Sequence, residues 1–318
     1  MTRCASAVLA IVAACGKGRE PTAAQVPAGP LPAAGSGSAS AASPGDSSKG
    51  CTLLPFAETT PVPEASGAAW LAIDGVPMLV VISDSGNHGA YGIVDPETGA
   101  TTETGLLPLS GEASDDLEGT AVRGDRLYAI TSSGWIRVWR RKAGGFELID
   151  RPYPLGPIDL PDTKNNDRPP RGDGMVCNGR VVNCGRNYEG LCLAPGAPPA
   201  ACIGFAASKA DGHLYCLTED AGKLVVHRDR AIAGTRPGAL ADCAFGDDGT
   251  LWAGSNLFDL GEVYRIARWD DPAAATIERV GPLAVGFPET LAARGDVVYR
   301  MSDMGGAPSL MARFRCPK

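Results

Sequence analysis

The sequence predicts an all-β chain: a β-propeller of five blades, with room for a sixth, whose first and last strands share the closing blade. Three observations carry this expectation. Short β-rich runs alternate with Gly, Asp, Asn and Pro turns, and no long apolar stripe has helical spacing. Strand–turn–strand units recur with their flanking residues in a shared register. Cysteines stand at both ends of the repeating region, at Cys51 and Cys316.

Two copies of the repeat align without a gap. Leu117-Glu118-Gly119-Thr120 leads through Arg123-Gly124-Asp125 to Tyr128, and Pro288-Glu289-Thr290-Leu291 leads through Arg294-Gly295-Asp296 to Tyr299. Each reads as a β-hairpin on a Gly-Asp turn. Looser copies begin at Ser66, at Glu189 and at Asp242, the copy at Glu189 passing an inserted loop before Asp211-Gly212 and Leu214 to Glu219. A spacing of roughly 40–50 residues per four-stranded unit is that of propeller blades. The interval from Glu118 to Glu189 is longer and holds the irregular stretch Asp159 to Gly174; a sixth, degenerate blade fits around Gly174 to Asn183. The last copy ends too early for four strands. Cys51 to Glu58 supplies the missing one, and a Cys51–Cys316 bridge would lock the ring by roughly 3–5 kcal/mol in the chain-entropy view.

Ahead of this domain (51–318) lie two segments of different character. Residues 1–14 combine Arg3, a short apolar run from Ala5 to Ala14 and small residues before Cys15, the parts of an export signal. The run is shorter than the roughly 20 residues of a membrane span. Val12-Ala13-Ala14-Cys15 resembles a bacterial lipobox, which implies a lipid on Cys15 and a chain tethered outside the cytoplasm; an ordinary signal with a chance cysteine is the alternative. Residues 15–50 are mostly Ala, Gly, Ser and Pro without an aromatic residue, a composition that reads as a disordered tether.

Of ten cysteines, Cys4 lies in the signal and Cys15 is assigned to lipid. The remaining even set, in an exported chain, reads as a disulfide framework. Besides Cys51–Cys316, the expected pairs are Cys192–Cys202 across the inserted loop, Cys177–Cys184 across a local hairpin, and Cys216–Cys243 between blades. Zinc is the weaker reading, since no Cys-x-x-Cys occurs and His88, His213 and His227 lie outside the Cys177–Cys192 cluster. A net charge of −7 without a basic run excludes nucleic acid and anionic lipid as electrostatic partners.

The repeat also proposes a site. Equivalent positions of successive blades form a ring, so Glu118, Glu189, Asp242 and Glu289, with Ser66 in the remaining copy, would gather at one mouth of the channel. Asp84, Glu219 and Asp303 end a second strand in three copies, with Ser132 near that position in another. Converging carboxylates repel unless protonated or bridged by a cation, and oxygen-only ligands favour calcium. The candidate metal ligands are therefore Glu118, Glu189 and Glu289, supported by Asp84, Asp242 or Asp303. The bland alternative is that these groups accept backbone amides of neighbouring blades, with Gly119 and Gly190 merely permitting turns. His88 reads as a general base or, more simply, as an exposed loop histidine. The tripeptide Arg171-Gly172-Asp173 reads as chance. The five tryptophans read as blade packing.

Val80-Val81-Ile82-Ser83-Asp84-Ser85-Gly86-Asn87, then Asp115-Asp116-Leu117-Glu118-Gly119 and Asn187-Tyr188-Glu189-Gly190-Leu191, resemble the phytase-like, esterase-like β-propeller family. That resemblance implies carboxylates at one mouth of the channel, binding calcium in some members. The chain is poorer in acidic clusters and in phosphate-facing Lys and Arg than the calcium-dependent phytases, and no Gly-x-Ser-x-Gly elbow occurs in the domain. The expected function is thus a membrane-tethered binding module for a ligand or an envelope protein, with calcium at the mouth. A calcium-dependent phosphoesterase or esterase is the alternative, and a purely structural envelope role the third.

Overall fold

The computed structural model describes residues 50–160, 174–196, 202–257, 260–283 and 285–317. The signal, Cys15 and its proposed lipid, tether residues 15–49 and the Arg171-Gly172-Asp173 tripeptide lie outside the described residues.

Among the described residues the chain is all β, without a helix. β1 (Thr52–Leu54) and β2 (Thr59–Pro63) come first. Blade 1 follows as β3 (Ala65–Ile73), β4 (Val76–Ser83), β5 (Ala90–Val94) and β6 (Thr101–Leu106). Blade 2 holds β7 (Leu117–Arg123), β8 (Arg126–Thr131), β9 (Trp135–Lys142) and β10 (Gly145–Leu148), with the short β11 (Tyr153–Pro154) also paired to β9. Blade 3 is β12 (Tyr188–Leu193), β13 (Gly204–Ser208), β14 (His213–Asp220) and β15 (Lys223–Ala233). Blade 4 is β16 (Leu240–Phe245), β17 (Leu251–Leu257), β18 (Leu260–Ala267) and β19 (Thr276–Pro282). Blade 5 opens with β20 (Phe287–Arg294), β21 (Val297–Asp303) and β22 (Pro308–Arg315).

Each blade is an antiparallel meander in which the strands pair in chain order. The first strands β3, β7, β12, β16 and β20 contact one another in sequence, and β20 contacts β3. They are the inner wall of a closed five-bladed β-propeller. Burial follows position: β12 and β16 are buried at every residue because neighbouring blades cover both faces, whereas the outer strand β6 alternates with solvent. Five apolar clusters fill the gaps between adjacent blades. One joins Leu71 and Val80 of blade 1 to Leu127 and Trp139 of blade 2, and another joins Val81 of blade 1 to Tyr299 and Met301 of blade 5. The tryptophans take part, as with Trp269 edge-on to Phe245 at 4.7 Å.

The chain ends close the ring together. β22 pairs with β21 on one side and with both β1 and β2 on the other, Thr52 facing Arg315 and Thr59 facing Leu310. Cys51 and Cys316 are joined by a disulfide over a separation of 265 residues. This covers the edge that a three-stranded last blade would leave open.

Two expectations are corrected. Gly174 to Asn183 forms no strand and no sixth blade. It is a loop held on blade 2, where Cys177 N–H donates to Ser133 O at 3.0 Å, Trp135 Nε1 donates to Cys177 O, and Cys177 is bridged to Cys184. The remaining disulfides are Cys192–Cys243 and Cys202–Cys216, in place of Cys192–Cys202 and Cys216–Cys243. Ile203 N–H donates to Leu217 O, which sets Cys202 beside Cys216 within blade 3. Cys192 on β12 faces the gap toward blade 4, where Cys243 of β16 meets it. Strand pairing, and not closeness in sequence, selects the partners.

Candidate metal centre at the channel mouth

Every inner strand carries a register shift near the start of its pairing. A bulge leaves one residue out of the ladder and re-aims its side chain. The bulged residues are Ser66, Glu118, Glu189, Ala241 and Glu289. Ser66 Oγ donates to Glu118 Oε2 at 2.8 Å, and Lys209 Nζ reaches Glu189 Oε2 at 3.0 Å and Glu289 Oε1 at 3.7 Å. Residues of four separate blades therefore converge on the axis.

Asp242 does not belong to this ring, contrary to expectation. It sits one residue later, aligned with Gly67, Gly119, Gly190 and Thr290, the positions that press on the next inner strand. A Cβ on Gly119 would lie 2.1 Å from Leu191 N, and one on Gly67 would lie 2.6 Å from Glu118 O. Glycine follows Glu118 and Glu189 because the neighbouring backbone leaves no space, not to make a turn. Where the position is polar it bridges the blades: Asp242 Oδ2 accepts from Leu291 N–H at 2.8 Å, its Oδ1 accepts from Cys243 N–H at 2.7 Å, and Thr290 Oγ1 donates to Ala65 O. Burial pushes the Asp242 carboxyl up, while those two amides oppose the shift.

A second ring lies beside the first. Opposite the residue before each bulge the second strand carries a hydroxyl: Ser83, Thr131, Ser208, Ser255 and Ser302. The next residues are Asp84, Ser132, Lys209, Asn256 and Asp303. Glu219 has no place here, because it lies near the end of β14, the third strand of blade 3, where it pairs with Arg123 at 3.7 Å. The equivalent residue is Lys209. The recurring hydroxyl–polar pair at each second-strand end is the sequence signal that would have found it.

The two rings divide the mouth. On the side of blades 1 and 2, Asp84, Asp116 and Glu118 each offer an oxygen, and these atoms lie within 4.8 Å of one another. Asp116 accepts from Ser132 Oγ and N–H, and Asp84 accepts from Ser85 N–H. Burial pushes Asp84 up to about 7, helped by Asp116, and burial with the surrounding carboxylates raises Glu118 well above the usual range. Asp116 is raised by burial against its bonds to Ser132. The loop before Asp116 is held by the buried Arg137, whose Nη1 and Nη2 donate to Ser114 O and Ala113 O at 2.7 Å each. On the opposite side Asn187 Nδ2 donates to Glu189, and Asn256 Nδ2 donates to Glu289. Burial, then Glu189, pushes Glu289 up to about 8 against the pull of Lys209. Burial lowers the Lys209 ammonium, but Glu189 and Glu289 more than offset it and leave its pKa raised.

The expected ligand set is thus redistributed. Asp84 and Glu118 come together, joined by Asp116. Glu189 and Glu289 belong to Lys209, and Asp303 stands at the rim, accepting from Gly305 N–H at 2.7 Å. The donor set of the trio, three carboxylates and no sulfur or imidazole, fits a hard cation such as calcium, which takes further oxygens from water or ligand. His88 is exposed on the adjoining loop, its Nδ1 4.0 Å from Asp115 Oδ2.

No family model matches the sequence, and no curated protein matches it. Solved structures do. The glutaminyl cyclase of Myxococcus xanthus is similar over 84% of this chain and 97% of that chain, at 14% identity and a TM-score of 0.50. The PQQ-bound aldose sugar dehydrogenase of Streptomyces coelicolor is similar over 84% of this chain and 98% of that chain, at 17% identity and a TM-score of 0.46. Identity this low speaks to the fold alone, and the cyclase match is in keeping with the β-propeller described above.

Proposed function

We propose that this chain is an extracytoplasmic binding propeller that takes a calcium ion at Asp84, Asp116 and Glu118 and presents it to a ligand, small or protein, at the channel mouth. The observation that carries this reading is the convergence of three carboxylate oxygens within 4.8 Å, while the ion pairs of Lys209 go to Glu189 and Glu289. Two of the three are buried, and gathering buried like charges is unfavourable without a counter-ion. Four disulfides suit an oxidising, extracytoplasmic compartment. No helix among the described residues is long and apolar enough to cross a membrane, and in this reading the membrane is reached through lipid on Cys15. Calcium should raise the melting temperature and give heat in calorimetry, and Asp116→Asn with Glu118→Gln should remove both while Asp303→Asn keeps them. A wild-type protein indifferent to calcium would leave the carboxylates as structural groups. Cys15→Ser should release the chain from the membrane fraction; unchanged fractionation would reject the anchor.

A calcium-dependent phosphoesterase or esterase, as in the phytase-like propellers, is the second reading. It is favoured by Glu289, a carboxyl that burial pushes up to about 8 at the same mouth as the candidate cation site. Turnover of p-nitrophenyl phosphate or p-nitrophenyl acetate that chelator abolishes would support it; none with either ester would leave the binding reading alone.

A further inference from the structure

The same five inner strands that form the acidic mouth build a different site further along their length. There they enclose a funnel of about 290 Å³, within reach of the smaller end of small-molecule sites. Its wall takes a residue from each blade: Ala68, Ala121, Leu191, Ala244 and Ala292. All five are buried and apolar. Alanines recur because the inner strands crowd the axis, and together with Leu191 they make the wall apolar, while the hydroxyl of Thr120, which also lines it, is taken up in donating to Tyr128 O at 2.6 Å. Such a wall accepts an apolar group and rejects a charged one.

The rim is dipolar. Arg294, at the end of β20, lies with its guanidinium 5.2 Å from the centre of the Trp70 ring. Trp70 is itself fixed by its Nε1 donating to Ala293 O at 2.7 Å. Asp247, which follows blade 4's inner strand, stands 3.5 Å from Arg294 Nε and accepts from Gly295 N–H through Oδ1 at 2.9 Å. The indole and Asp247 therefore hold the guanidinium through its face and its Nε side. Among the described residues no ion pair or hydrogen bond engages its two Nη groups, an edge suited to a carboxylate. Both side chains of the pair are partly exposed, at 42% and 58%, so a solute can reach them.

We propose that this funnel binds a free apolar α-amino acid, with its side chain in the cavity, its carboxylate on Arg294 and its ammonium on Asp247. The charge pattern selects that class. A ligand with only a carboxylate meets Asp247 as a like charge, and one with only an amine meets Arg294; a zwitterion satisfies both. The site is separate from the cation site and does not depend on it.

The test is calorimetry on the whole protein with L-leucine and L-phenylalanine, against 4-methylpentanoate, isoamylamine and L-aspartate. Leucine or phenylalanine should bind, and each single-charge analogue and aspartate should bind about 10-fold more weakly or not at all. Arg294→Met and Asp247→Asn should each weaken binding by about 10-fold or more. Because that pair also links blades 4 and 5, Ala244→Leu serves as a second variant that fills the funnel and leaves the rim intact; it should abolish binding. Absence of heat for both amino acids up to about 10 mM, equal binding of 4-methylpentanoate, or binding unchanged in Ala244→Leu would each overturn the proposal. If the variants fail to fold, the wild-type ligand series decides alone.

Discussion

Lys209 Nζ lies 3.0 Å from Glu189 Oε2 and reaches on to Glu289, bridging blades 3 and 5 over the position where blade 4 has only Ala241. The carboxylates of the mouth are thereby split into a half neutralised from within and a half, Asp84 with Asp116 and Glu118, that has no such ion pair among the described residues. Removing Lys209 should leave two buried carboxyls unpaired. We expect Lys209→Met to destabilise the fold by about 3 kcal/mol near neutral pH, the scale of breaking a buried pair. Urea unfolding would measure it, and a loss that grows as pH rises through about 8, where Glu289 gives up its proton, would confirm the cause.

The apo protein should be more stable in mild acid than in mild base. Folding raises Glu289 from 4.5 to about 8 and Asp84 from 3.8 to about 7. A raised carboxyl binds its proton more tightly when folded, so its contribution is complete below the unfolded pKa and is lost as pH rises through the folded one. The melting temperature without divalent cation should therefore fall between pH 4.5 and pH 8. Glu289→Gln should flatten the upper part of that curve; a profile unchanged by the substitution would assign the fall to other groups.

Gly119→Ala should be severe for so small a change. Its Cβ would sit 2.1 Å from Leu191 N and 2.4 Å from the Gly190 backbone, so two inner strands must part. A loss of about 3 kcal/mol or more, or failure to fold, is expected. By contrast Gly124→Ala, where a Cβ meets nothing within 4 Å, should lose only the strain of its positive φ. Comparing the two melting temperatures separates close approach from turn geometry.

Cys51→Ser with Cys316→Ser should lower stability by about 3–5 kcal/mol, because the bridge closes nearly the whole domain. β1 would then be held to β22 through the pairing of Thr52, Leu53 and Leu54 with Arg315, Phe314 and Arg313. Proteolysis should begin at the N-terminal end of the domain in the variant, and digestion starting elsewhere would contradict the closure described.

Much of the architecture is legible along the chain because propeller repeats are local. A strand, its Gly-Asp turn and the return strand are contiguous, so Glu118 and Glu289 align by eye and their blades can be counted. The Cys51–Cys316 closure is legible for the same reason, since a last repeat short of a strand has to borrow one. What the linear sequence does not carry is the single-residue register set by a bulge. Without strand pairing Asp242 aligns with the glutamates, although Ala241 holds that place and Asp242 caps amides of its own strand and of blade 5. The inserted loop of blade 3 likewise hides β13, so Glu219 is taken for the residue that is in fact Lys209.

The sequence by itself determined an all-β propeller, its count of five strong repeats, the sharing of the last blade and the acidic character of one mouth, since each follows from periodicity within short stretches. Only the tertiary structure decided which acids meet, that Lys209 neutralises two of them, which cysteines pair across β12 and β16, and that an apolar funnel lies beyond the mouth. Those depend on distances between side chains from different blades, and a shift of one residue at a bulge redirects a side chain while leaving the hydrophobic pattern of the strand unchanged.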